Sequence, residues 1–250
     1  MAAGASGFAL AAGLVGPLVA LAQGGPPLLT DDPDTPGDRR WEINIAHELR
    51  RTRDETIHSL PRLDVNYGLG NRVQLNVETG WLVTKATGDG RRSGVDNVFL
   101  GLKWRFYDPG EAGFKASVFP QLELENPLHS DRRDIAEPAP NLTLPIEVGK
   151  SFGTVRVAGE LGYTVTHAEP NEWLYGLVAG HRASAGLELL AEIHGTAERS
   201  LSQTDDLILN VGFTRDLNER ATLLASVGTG LAGDTERSRF RSYLGLQLHF

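Results

Sequence analysis

The chain has no cysteine. That absence excludes a disulfide scaffold, a thiol nucleophile, cysteine–metal sites and a lipoprotein anchor. Long apolar runs are also missing: beyond residue 22 nothing approaches the ~18 consecutive apolar residues of a membrane helix. A mean hydropathy of −0.22 is too polar for a bundle of such helices. No domain-sized basic region exists, and a net charge of −8 argues against a nucleic-acid partner. His-Glu-x-x-His spacing is absent, and no residue pattern calls for a metal or a cofactor. These absences leave one membrane architecture untouched. In a transmembrane β-barrel only every second residue faces lipid, so ordinary composition is compatible with it.

What is present begins with residues 8–22, nearly continuous Ala, Leu, Val and Gly, ending in Ala20-Leu21-Ala22 before Gln23. This fits a cleaved signal peptide over residues 1–22, although no Lys or Arg precedes it. A transmembrane helix is the alternative; the glycines and Pro17 weigh against it. Residues 23–40 hold Pro, Gly and Asp without periodicity and read as a periplasmic N-terminal extension. Residues 41–250 then read as one outer-membrane β-barrel.

The last residues carry the strongest signal. Leu244, Leu246, Leu248 and Phe250 alternate with Tyr243, Gly245, Gln247 and His249, one face of a strand apolar and the other polar. Such an ending resembles the terminal strand of bacterial outer-membrane barrels, whose Phe is read by the barrel-assembly machinery. The same alternation marks strands at 41–50, 60–67, 72–83, 97–106, 114–125, 141–149, 154–165, 172–180, 187–196, 207–214 and 221–231. With the terminal strand this predicts an all-β, closed, antiparallel up-and-down transmembrane barrel of about twelve strands. Connections alternate between short turns (68–71, 108–111, 151–153, 182–185, 216–219) and long charged loops (51–58, 85–94, 126–140, 198–206, 232–241). That is the asymmetry of periplasmic turns and outer loops; 167–171 is short for an outer loop. Trp41, Tyr67, Trp104, Phe106, Phe114, Phe213 and Phe250 fall at the ends facing short turns. Trp81, Trp173 and Tyr175 fall at the ends facing long loops. The two sets read as interfacial girdles; a soluble sandwich with core aromatics is the alternative. Pro61, Pro120 and Pro145 interrupt strands and predict bulges or strand ends.

On this register the lumen receives Glu42, Glu48, Glu78, Glu123, Glu147, Glu160, Glu188 and Glu192, with Arg72, Lys103, Arg105, Lys115 and Arg156 as counter-charges. Cross-strand ladders are expected to pair them. Two readings follow: a polar filling that stabilises a narrow barrel, or a selectivity surface for a polar or cationic solute. A lipid hydrolase or acyltransferase needs a nucleophile beside a base. His47 is the one histidine on a lipid face of a clear strand, and no serine stands beside it. Arg50-Arg51, Arg91-Arg92 and Arg132-Arg133 could hold lipopolysaccharide phosphates, or serve only loop solubility. Asp31-Asp32-Pro33-Asp34 lacks the ligand spacing of a calcium loop.

The stretch Thr30-Asp31-Asp32-Pro33-Asp34-Thr35-Pro36-Gly37 followed by Trp41-Glu42-Ile43-Asn44 resembles the start of the MetA-pathway of phenol degradation family of outer-membrane β-barrel proteins. The resemblance implies an outer-membrane location and passage of small compounds, aromatic ones among them. It supplies no catalytic residues. The sequence thus points to a non-enzymatic channel or uptake protein, with outer-membrane lipid, lipopolysaccharide and small solutes as partners. A structural barrel with an occluded lumen is the alternative, and an outer-membrane lipid enzyme the third reading.

Overall fold

The computed structural model describes residues 25–88, 90–110, 113–130, 132, 135–167, 170–198, 201, 206–233 and 239–250. The expected signal peptide lies outside the described residues. Fourteen strand segments follow one another: β1 (Trp41–Arg51), β2 (Glu55–Leu69), β3 (Val73–Ala86), β4 (Arg91–Val95), β5 (Val98–Tyr107), β6 (Lys115–Val118), β7 (Gln121–Leu124), β8 (Asn141–Phe152), β9 (Val155–Val165), β10 (Glu172–Ser184), β11 (Leu187–Ala197), β12 (Asp206–Asn218), β13 (Ala221–Gly233) and β14 (Phe240–His249). They make twelve staves. β4 and β5 both pair with β3 and form one stave interrupted at Asp96 and Asn97. β6 and β7 both pair with β5 and β8 and form another, interrupted at Phe119 and Pro120. All pairings are antiparallel, and β1 pairs with β2 on one side and β14 on the other, so the sheet closes without an edge. The fold is the twelve-stranded all-β barrel that the alternation predicts.

Side-chain alternation does the sorting. On β3, Leu75 and Val77 are 41% and 45% exposed, while Gln74 and Asn76 between them are 6% and 4% exposed. A soluble protein shows the reverse. Here apolar side chains cover the outer wall and polar ones fill the bore, as a lipid surround demands. Trp41, Trp81, Trp104, Phe106 and Phe250 are exposed on that outer wall, and Trp173 and Phe213 are half-buried. Trp41 packs on Tyr67 at 4.6 Å between ring centroids, and Trp173 on Tyr163 at 4.9 Å.

Two expected loops are shorter than the sequence suggests. Residues 51–58 are mostly strand: β1 and β2 are joined at 52–54, where the Thr52 hydroxyl accepts from the Asp54 and Glu55 amides at 3.2 and 3.0 Å. Such a local bond closes a tight turn. His58 is therefore a strand residue, not a loop one. Residues 85–94 are likewise largely a ribbon of β3 and β4. Proline behaves as expected at two of three sites. Pro61 lies in the register shift between Ser59 and Arg62, and Pro120 in the break between β6 and β7. Pro145 instead sits inside β8 without a shift, paired with Gly162. Its missing N–H does no harm because the Phe119–Pro120 break lies opposite on the other side, where the Phe119 amide donates to the Pro145 carbonyl at 3.2 Å.

The largest departure concerns residues 25–40. Rather than hanging from the periplasmic end, the segment enters the barrel, and Thr30, Asp32 and Thr35 are buried there. A polar segment with three closely spaced aspartates finds counter-charges inside the bore.

Two measurements test this wall. In the cysteine-free chain, a cysteine at Gly90 should react with a membrane-impermeant thiol reagent on intact cells. Cysteines at Gly70, Gly110 and Asn218 should react only after permeabilisation, and uniform labelling would refute the topology. Leu75→Arg, which puts a charge on the lipid face, should cost about 2–4 kcal/mol and impair folding, whereas Glu78→Gln should leave heat-modifiable gel mobility intact.

Candidate functional site: the filled lumen

The N-terminal segment folds back on itself in the bore, with its apex at Leu29–Asp31. At the apex it donates. The Leu29 and Thr30 amides give hydrogen bonds to Glu192 Oε1 at 3.0 and 2.5 Å, and the Asp31 amide to Glu160 Oε2 at 3.1 Å. On the returning limb it accepts. Asp31 meets Lys103 Nζ at 2.8 Å, Asp32 meets Arg156 at 2.6 Å, and Asp34 meets Arg105 at 3.0 Å and Lys115 at 2.5 Å. Lys103 also donates to the Asp32 carbonyl at 2.6 Å. The limb leaves near the turn at 70–72, where Thr35 Oγ1 donates to the Asn71 carbonyl at 3.1 Å. Among the described residues its apolar support is small: Leu28 clusters with Val178 and Leu190, and Pro33 lies against the wall at Gly149.

Glycines in the wall make the room. A Cβ on Gly176 would stand 1.9 Å from Thr30 Oγ1, and one on Gly68 would stand 1.7 Å from the Gly37 carbonyl oxygen. Both positions need the bare backbone for close approach of a second chain segment.

Six of the residues assigned to the lumen from sequence are buried: Glu42, Lys103, Glu147, Arg156, Glu160 and Glu192. Glu48, Glu78, Arg105, Lys115, Glu123 and Glu188 are half-buried. Arg72 is not among them. It lies exposed in the turn after β2, where its carbonyl accepts from the Arg105 amide at 2.8 Å. The expected cross-strand ladders account for few of the charges. Lys103–Glu147 at 3.3 Å and Arg156–Glu188 at 3.5 Å join wall to wall, but the four inward cations of the sequence-derived set, Lys103, Arg105, Lys115 and Arg156, make their shortest ion pairs with the segment's aspartates. Buried ions need partners, and here most partners come from outside the sheet.

A second polar network lies along β1–β3. Asp64 accepts from Asn44 at 2.8 Å, Asn66 at 2.8 Å and Asn76 at 2.7 Å, and Gln74 donates to Asn66 at 2.7 Å. Arg62 bridges Glu78 at 2.6 Å and Asp96 at 2.7 Å. Phe119 points inward beneath Lys103, whose ammonium stands 4.8 Å from the ring centroid. Arg62, Asp64 and Phe119 are absent from the sequence-derived lumen set. The alternation of Leu63, Val65 and Val118 places all three inside, but proline neighbours obscured the register. A cavity of about 220 Å³ separates this network from the N-terminal segment. A larger one of about 1060 Å³ opens at the end of the short turns, between the segment and the β10–β14 wall, with Arg40, Arg182 and Arg220 among its charges. Among the described residues no group of three or more His, Cys, Asp or Glu could hold a metal ion.

Closed wall, outward apolar face and polar filled bore together define an outer-membrane-type β-barrel with an internal N-terminal plug. No protein-family model matches the sequence, and no curated protein matches it either. Solved structures do match. The COG4313 outer membrane channel from Pseudomonas putida F1 aligns with a TM-score of 0.66 at 16% identity, covering 88% of this chain and 98% of that one. The KdgM porin aligns at 0.58 and 14%, covering 84% and 99%. The NanC porin aligns at 0.59 and 6%, covering 82% and 98%. At these identities the likeness is one of fold: the chain is built as outer-membrane channels and porins are.

The plug is testable directly. Thr30 is fully buried, so Thr30→Cys should react slowly with a small thiol reagent. Adding Gly176→Val, whose side chain takes the Thr30 position, should raise that rate by roughly tenfold or more, as reactivity of a buried site follows local opening. Equal rates in both would show that the apex does not rest on Gly176. Lys103→Met leaves Asp31 and Glu147 buried without their cation; denaturant melts should show a loss of about 3–5 kcal/mol.

Proposed function

We propose that this protein is an outer-membrane channel or uptake protein for small solutes, with residues 25–40 as the plug of its own pore. One observation carries the reading: the plug is held by hydrogen bonds and ion pairs rather than by an apolar core. Such contacts exchange for water contacts at modest net cost, so the segment can yield without unfolding the wall. The 1060 Å³ cavity at the periplasmic end supports the same reading, since it gives a displaced plug, or a solute, somewhere to go. The resemblance of the Thr30–Gly37 stretch to the phenol-degradation family supports small aromatic or hydrophobic compounds as the solutes. An occluded, structural barrel is the second reading, favoured by the residual bore of only about 220 Å³ beside the plug.

Planar-bilayer recording separates the two. A channel shows discrete openings, and Asp31→Asn with Asp32→Asn and Asp34→Asn, which removes the three carboxylates that pair with the wall, should raise mean conductance at least severalfold. Silence in both proteins would leave the occluded barrel. The inner cavity is lined by eight Asp and Glu side chains against three of Arg and Lys, which favours cations. Glu78→Gln with Glu48→Gln should therefore weaken cation preference; unchanged selectivity would put the solute route elsewhere. Fractionation of the protein with outer membranes is expected, and recovery in the soluble periplasm would end the reading.

A further inference from the structure

Two of the three basic pairs at the outer rim are split by the pleat; Arg133 of the third lies outside the described residues. Arg50 turns inward and reaches Glu137 at 3.6 Å. Arg92 is half-buried and pairs across the strand with buried Thr84. Arg51 and Arg91 turn outward and are exposed. They lie in one row: Arg51 pairs with Thr56, Thr56 with Lys85, and Lys85 with Arg91. Lys85 and Arg91 are thus directly opposite on the outward face of neighbouring strands, an arrangement of like charges that costs stability unless an anion lies between them. Among the described residues no carboxylate shares that face: the outward positions beneath the row are Leu49, His58, Val83 and Ser93, then His47, then Trp81. His47 Nε2 and His58 Nδ1 are 3.0 Å apart, so these two imidazoles satisfy one another just below the row.

The height of the row fits a membrane boundary. β1 runs eleven residues from Trp41 in the lower girdle to Arg51. At ~3.4 Å per residue and a tilt of ~40°, that is roughly 26 Å of height, close to the apolar band of such barrels. The cations therefore begin where acyl chains end. The row spans three strand spacings, about 14 Å, wide enough for more than one phosphate.

We propose that Arg51, Lys85 and Arg91 form a docking surface for the phosphate groups of lipopolysaccharide in the outer leaflet, with the apolar wall around Val83 and Trp81 taking its acyl chains. The inference rests on the outer-membrane reading above. Its chemistry is specific in two ways: it needs an anion at the row, and it needs a tail below it.

The test uses the full-length barrel refolded in detergent and titrated with bisphosphorylated lipid A, with adducts read by native mass spectrometry. Binding by the wild-type protein should drop at least tenfold in Lys85→Gln/Arg91→Gln, and fall comparably when dephosphorylated lipid A replaces the phosphorylated form. Arg92→Gln, one residue away but inward, should bind as the wild type does. Equal binding by the double variant, equal binding of dephosphorylated lipid, or an equal loss in Arg92→Gln would overturn the assignment. So would displacement of the lipid by equimolar inorganic phosphate, which would mark a site for the free anion. Should the double variant fail to refold, wild-type affinity must still fall as NaCl rises from 0.05 to 0.5 M on the order of the screening such exposed charges undergo, and salt-independent binding would overturn the proposal. Failure of the outer-membrane reading shows separately, in fractionation.

Discussion

Lys103, Arg105, Lys115 and Arg156 project into a bore that lipid surrounds, and Asp31, Asp32 and Asp34 are where their charge is balanced. The course of the N-terminal segment follows from that requirement. Its aspartates must meet β5, then β9, then β5 and β6 together, and its apex amides must meet Glu192 and Glu160 before the chain reverses. Wall and plug are incomplete without each other: in an empty bore Lys103, Arg105, Lys115 and Arg156 would lose their shortest ion pairs, and in a free segment Asp31, Asp32 and Asp34 would face water. The glycines at 68 and 176 record the same dependence in sterics, since no side chain fits where the segment touches the wall.

Charge of this kind makes a plug unlike a packed core. Among the described residues its apolar contact with the wall is small, Leu28 beside Val178 and Leu190 and Pro33 beside Gly149. Polar contacts are specific in geometry but small in net free energy, so the segment has a defined resting position without being locked by hydrophobic burial. The outside of the barrel shows the opposite balance. There the wall is apolar, with Arg51, Lys85 and Arg91 in a row at its upper edge and Lys150 and Arg215 at its lower one.

The wall was legible because a barrel strand repeats every two residues, and both faces report on it. The alternation of Val73, Leu75 and Val77 with Gln74 and Asn76 places a strand and its two sides at once. Turn residues place short connections at 182–185 and 216–219, although the strands run on to Ser184 and Asn218 and the turns close at 185–186 and 219–220. Legibility failed where a local bond replaced composition as the signal. The Thr52 hydroxyl closes a turn inside what reads as a charged loop, so His58 and Thr56 join the sheet. It failed again at Pro145, because whether a missing N–H matters depends on the strand opposite. The position of residues 25–40 was beyond pattern reading altogether. Its partners lie as far as 199 residues away, and Asp31-Asp32-Pro33-Asp34 offers no periodicity to say that lysine and arginine await it. The inward glycines were the accessible clue, since Gly176 leaves a gap on the inward face of β10 between Leu174 and Val178 with no turn or bulge to explain it.

The seam between β1 and β14 gives the plug a history as well as a place. Trp41 and Phe250 exchange backbone hydrogen bonds, Trp41 N to Phe250 O at 3.0 Å and Phe250 N to Trp41 O at 3.1 Å, and Trp41 is also where the plug joins the wall. The first stave and the filling are one continuous stretch of chain, anchored at the point where the circle is completed. Barrel closure and plug insertion are therefore coupled events in assembly. If the circle closes with the segment already inside, its ion pairs form as the bore loses bulk water. If it closes first, the segment must turn back at Arg40 and thread upward through the mouth beside the finished seam.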